Sequence, residues 1–88
     1  MGQLTVEFYG IPRQRAGRAE LLVSATTVAE ALAAVERDCP GLKKLTERDG
    51  RLCPQYLVSV DGEQFVTDLQ QEMRPGGRLL LLSADAGG

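Results

Sequence analysis

The sequence predicts an α+β domain built from several short strands and one main helix. Three observations carry that prediction. The N-terminus alternates apolar and polar residues with period two. A single helical stripe lies between a capping box and a Pro-Gly stop. Four consecutive leucines form a strand-length run near the C-terminus. Strands grouped around one helix, without regular β-α alternation, fit an α+β arrangement.

Residues 3–9 place Leu4, Val6 and Phe8 on one face and Thr5, Glu7 and Tyr9 on the other, a half-buried strand. Gly10 and Pro12 end it, and residues 10–17 read as a hairpin loop longer than a tight turn. Residues 18–24 give a second strand with Ala19, Leu21 and Val23 on a shared face, so the two make an N-terminal hairpin.

Thr27 is a candidate N-cap with Glu30 three positions on, the spacing of a capping box. Val28, Leu32 and Val35, with Ala31 beside them, form an apolar stripe at helical spacing. Pro40-Gly41 stops the helix near Asp38-Cys39. Residues 41–54 read as a connector with a short helical turn around Leu42 and Leu45. Residues 55–60 are a third strand, closed by the turn Asp61-Gly62.

Residues 63–77 are polar, with Phe65, Leu69 and Met73 as expected anchors and Pro75-Gly76-Gly77 as a turn. Residues 78–83 are six long, a strand length; four leucines in succession predict a central strand covered on both faces. The segment 84–88, Ala84-Asp85-Ala86-Gly87-Gly88, has no side chain large enough to bury and reads as a tail outside a domain spanning residues 1–83.

Composition excludes several function classes. A chain of 88 residues supports one modest core. No run approaches the roughly 18 apolar residues of a bilayer span. The start lacks the pattern of a signal peptide, so the expected compartment is the cytoplasm. A net charge of −2 argues against a nucleic-acid binder. Arg13, Arg15 and Arg18 nevertheless cluster with no acidic residue among them, either as a solvated loop or as a local docking patch. Histidine is absent, which removes Ser-His and Cys-His catalysis, and no metal site is expected. Cys39 and Cys53 lack Cys-x-x-Cys spacing and read as free thiols in packing or surface positions, with a disulfide or a transient persulfide role as the alternatives. Gly76 and Gly77 precede a strand and lack the ending of a phosphate loop. The acidic residues Glu47, Asp49, Asp61 and Glu63 flank turn glycines and read as turn chemistry.

The remaining feature is the terminal Gly87-Gly88 pair after the leucine-rich strand. With the hairpin Leu4–Phe8 and Ala19–Val23, the helix start at residues 27–32, Pro40-Gly41-Leu42, residues 56–62 and the turn at residues 74–78, this order resembles the MoaD/ThiS type of ubiquitin-like sulfur carrier over essentially all 88 residues. The resemblance implies a β-grasp roll, with a mixed sheet of four to five strands and one main helix. It implies a protein co-substrate rather than an enzyme, in some members the small subunit of a synthase complex. The reactive group would be the carboxylate of Gly88, with Gly87 giving access. An adenylating enzyme using ATP and magnesium would activate it, a sulfur donor protein would convert it to a thiocarboxylate, and an acceptor synthase would receive the sulfur. No bound cofactor is implied.

Glycine lacks a Cβ and so enters a narrow channel easily. At about 3.3–3.6 Å per residue, residues 84–88 reach up to about 17 Å. Expected partner-docking residues are Tyr56, Phe65, Leu80 and Leu82 on an apolar sheet face, Arg74 and Arg78 at the turn, and Asp85 and Ala86 in the tail, with core packing the alternative for the four apolar residues and solvated charge the alternative for the two arginines. Two alternatives share these features: a ubiquitin-like modifier that forms isopeptide bonds to lysine, and a β-grasp binding module with an incidental tail.

Overall fold

The structure, a computed structural model, describes residues 2–84. Five strands form one sheet: β1 (Gln3–Phe8), β2 (Glu20–Ser24), β3 (Tyr56–Val60), β4 (Gln64–Phe65) and β5 (Arg78–Ser83), in the order β2-β1-β5-β3-β4. β1 and β5 run parallel at the centre and the other pairings are antiparallel, so the sheet is mixed as a β-grasp roll requires. A long helix, Val28–Asp38, packs on one face; a short one, Ile11–Ala16, lies between β1 and β2. These are α2 and α1 in chain order.

The pleat decides the core. Leu4, Val6 and Phe8 of β1, Leu79 and Leu81 of β5 and Val58 of β3 are buried on the face that meets Val28, Ala31, Leu32 and Val35 of α2. The expected helical stripe and first-strand face are thus the two halves of one core. The capping box is formed: the Glu30 N–H donates to Thr27 Oγ1 at 3.1 Å, and Glu30 Oε1 accepts from the Thr27 N–H at 3.4 Å. Two further donors of the first turn are satisfied by a remote segment, Val28 N–H to the Gln71 carbonyl and Ala29 N–H to the Leu69 carbonyl. That contact, with buried Leu69 and Met73, ties the polar stretch before β5 to the helix.

Four expectations are corrected. Residues 10–17 are not a plain loop, because α1 occupies Ile11–Ala16. Proline at the start of a helix lacks only an N–H that has no intrahelical partner, and Gly17, left-handed at φ 75°, closes the helix by donating to the Arg13 carbonyl. Ala19 lies outside β2 and is exposed, so the inward face of that strand rests on Val23 and half-buried Leu21. Phe65 is not an anchor: it is 61% exposed, and the next residue, Val66, takes the buried position. β5 is central, as four leucines predict, but it is covered on one face only, leaving Leu80 and Leu82 half-buried on the other.

At the β3–β4 turn Asp61 and Gly62 both adopt positive φ, 55° and 72°, the primed geometry that matches strand twist. Asp61 Oδ1 also accepts from the Arg78 N–H at 2.9 Å, pinning this turn to the start of β5.

Candidate docking face and tail root

No helix among the described residues covers the second face of the sheet. Cross-strand register places side chains on it directly. Leu57 faces Leu82, and Ser59 faces both Leu80 and Phe65, so these five residues share the open side of β3, β4 and β5. Phe65 and Leu57 are exposed, Leu80 and Leu82 half-buried, and Ser59 is buried beneath its neighbours. The result is an apolar strip along half of an open sheet.

The other half is polar and internally organised. Glu7 pairs with Leu80 across β1 and β5 and lies beside Arg78, with which it forms an ion pair. The Tyr9 hydroxyl donates to Glu7 Oε1 at 2.6 Å, and Arg78 Nη1 lies 3.9 Å from Glu20 Oε2. The hydroxyl bond from Tyr9, aided by Arg78, holds the Glu7 carboxyl below its ordinary value. The same bond raises the Tyr9 hydroxyl, since ionising it would set two negative charges side by side. Leu22 on β2, 60% exposed, extends the face beyond this network.

Four of the expected docking residues lie on the open face: Phe65, Leu80 and Leu82 in the apolar strip and Arg78 in the polar half. Tyr56 does not. It is 3% exposed, points into the core, and accepts a hydrogen bond from Arg15 Nη1 at 3.2 Å. Its partner across the ladder is Ser83, which fixes its parity with Leu79 and Leu81. Arg78 is engaged with Glu7. Arg74 is exposed at the turn before β5, beside Asp61, Glu63 and Glu72 in a cleft of about 300 Å³. Leu57 and Leu22 were not anticipated. The signal for Leu57 is its parity: it alternates with Val58, so a buried Val58 sends Leu57 outward.

Parallel β1 and β5 leave the sheet at the same end. There the chain after β1 turns into α1, and the chain after β5 reaches Ala84, whose N–H donates to the Gln55 carbonyl at 2.8 Å. A cleft of about 200 Å³ at this root is lined by Ile11, Arg15, Gln55, Tyr56 and Ser83. Gly87 and Gly88, with Asp85 and Ala86, lie outside the described residues.

Neither thiol is activated. Cys39 is buried and Cys53 half-buried, both are free, and burial raises both above the ordinary thiol value. Among the described residues no cluster of His, Cys, Asp or Glu could hold a metal, and no helix is long and apolar enough to cross a membrane.

Solved structures share this fold. SAMP1 from Haloferax volcanii is 25% identical, superposes with a TM-score of 0.83, and the match covers 99% of this chain and 100% of that one. A chain of the Amycolatopsis orientalis BexX/CysO complex is 28% identical with a TM-score of 0.80, covering 97% and 99%. The chain has the ubiquitin-like β-grasp fold of MoaD/ThiS-type sulfur carriers. The fold is shared further with a chain of the complex of subunits 1 and 2 of the molybdopterin-converting factor from Helicobacter pylori, at a TM-score of 0.64, 21% identity, and coverage of 98% and 99%. No family model and no curated protein matches this chain by sequence.

Proposed function

We propose that the protein is a sulfur carrier that works as a co-substrate, with the Gly88 carboxylate as its reactive group. The observation that carries this reading is the full-length likeness to CysO and SAMP1 at 25–28% identity, in a chain that ends in Gly87-Gly88. A carboxylate resists nucleophiles because of its negative charge. Attack of its oxygen on the α-phosphorus of ATP, with magnesium, expels pyrophosphate and gives an acyl-adenylate. The terminal sulfur of a donor persulfide then attacks the carbonyl carbon, and AMP leaves. Cleavage of the resulting acyl disulfide by a donor thiol releases the thiocarboxylate for an acceptor synthase.

The open strip of Phe65, Leu57, Leu80 and Leu82 supports docking to these protein partners. Two of the similar chains were solved in complexes with other proteins. Deleting Gly87 and Gly88 tests the reading. ATP–pyrophosphate exchange by the activating enzyme of the same organism should require the intact chain, and exchange that survives the deletion rejects it.

A second reading is favoured by the likeness to small archaeal modifier protein 1. The same acyl-adenylate would then be attacked by a lysine Nζ, expelling AMP and forming an isopeptide. A Gly-Gly remnant on lysines of other proteins identifies that outcome.

A further inference from the structure

The geometry points to α1 as a second docking element: Arg13, Arg15 and Arg18 would contact an acidic protein surface rimming the channel that takes up the tail. The proposal rests on the carrier reading above. The topology makes it specific, because parallel β1 and β5 put α1 beside the point where the tail begins. A partner that draws in residues 85–88 must bring its rim against that end of the molecule.

The charge there is unbalanced. The chain carries −2 overall, yet none of these three exposed guanidiniums forms an ion pair among the described residues, whereas Arg37, Arg51 and Arg78 do. Arg15 lines the root cleft and is oriented by the Tyr56 hydroxyl, a neutral acceptor that leaves its charge intact. Arg13 and Arg18 line a shallow groove along the other side of α1.

The helix that displays Arg13 and Arg15, with Arg18 just past its end, is firmly seated. Pro12 is buried beneath it, and a Cβ on Gly41 would stand 2.3 Å from the Arg15 carbonyl oxygen, so α1 and the 3-10 turn Pro40–Leu42 are in close backbone contact. The partner is taken as protein because the tail must enter an enzyme site, which neither a membrane nor a nucleic acid offers.

The test is ATP–pyrophosphate exchange by the same activating enzyme, with KM and kcat for the carrier measured at low and high salt. Combined Arg13→Glu, Arg15→Glu and Arg18→Glu should raise KM about tenfold or more, leave kcat within about twofold, and flatten the salt dependence. The corresponding triple lysine variant should keep most of the affinity. Arg13→Glu with Arg18→Glu preserves the Arg15–Tyr56 bond and should give an intermediate rise; it decides the matter if the triple variant does not fold by circular dichroism. A KM within about twofold of wild type in the glutamate variants, or lysine variants as impaired as glutamate ones, overturns the proposal. So does retention of the wild type on phosphatidylserine vesicles or duplex DNA at the same salt. Wild-type protein that supports no exchange at all overturns the carrier reading itself, a result distinct from an unchanged KM.

Discussion

Replacing Phe65 with alanine separates docking from folding. Phe65 is 61% exposed, so roughly two-fifths of it is covered in the free protein. Full burial of such a side chain is worth about 1.5–3 kcal/mol, which puts the folding cost of the truncation near 0.5–1 kcal/mol. If a partner covers the rest, the lost interface contribution is about 1–2 kcal/mol, or about 5–30-fold in affinity. Leu81→Ala is the control on the opposite face. Leu81 is fully buried, and its truncation should cost about 2–5 kcal/mol. At about 4–8 °C per kcal/mol for a domain of this size, Phe65→Ala should lower Tm by only a few degrees and Leu81→Ala by about 8 °C or more. Differential scanning calorimetry checks the first half, and KM in ATP–pyrophosphate exchange the second. A Phe65→Ala protein with unchanged KM, or with the Tm loss of Leu81→Ala, refutes the assignment of the open face as the docking surface.

Three further outcomes follow from the packing and the hydrogen bonds. Thr27→Ala removes one arm of the capping box and should cost about 1 kcal/mol in urea denaturation, with no change in the m-value. Gly41→Ala sets a Cβ against the Arg15 backbone and should cost about 1–3 kcal/mol, seen as a lower Tm and faster amide exchange in α1. Glu7 has a folded-state pKa below its ordinary 4.5, chiefly through the Tyr9 hydroxyl; its contribution is therefore present above that value and lost as pH falls through the lower folded one. Glu7→Gln should lower stability at neutral pH and flatten the acid limb of the stability profile, read by thermal melts across the acidic range.

Much of the fold was legible because each element carries its own local signal. Thr27 and Glu30 mark the helix start, Leu4, Val6 and Phe8 mark a strand face, and Asp61-Gly62 marks a turn. What escaped was set by tertiary context. α1 is too short to show a periodic stripe, and Pro12, which reads as a breaker after a strand, also begins a helix. Tyr56, expected at the docking face, lies in the core, and Phe65, expected both as an anchor and as a docking residue, is exposed, because hydrophobicity does not reveal which way a strand faces. Pairing does: Tyr56 opposite Ser83 falls inside, and Phe65 opposite Ser59 falls outside. Four leucines in β5 suggest two covered faces, yet only Leu79 and Leu81 have α2 over them, and the half-covered pair became part of the candidate site. The Arg78–Glu7–Tyr9 network links residues far apart in the chain and had no sequence signal beyond alternating polarity.

The intact mass of the protein purified from its own cells tests the central claim most directly. A carrier loaded at Gly88 exchanges one oxygen for sulfur and should show a population about 16 Da heavier, lost after alkaline hydrolysis or on deletion of the terminal glycines. A single unmodified mass under conditions where the activating enzyme and sulfur donor are expressed would contradict it.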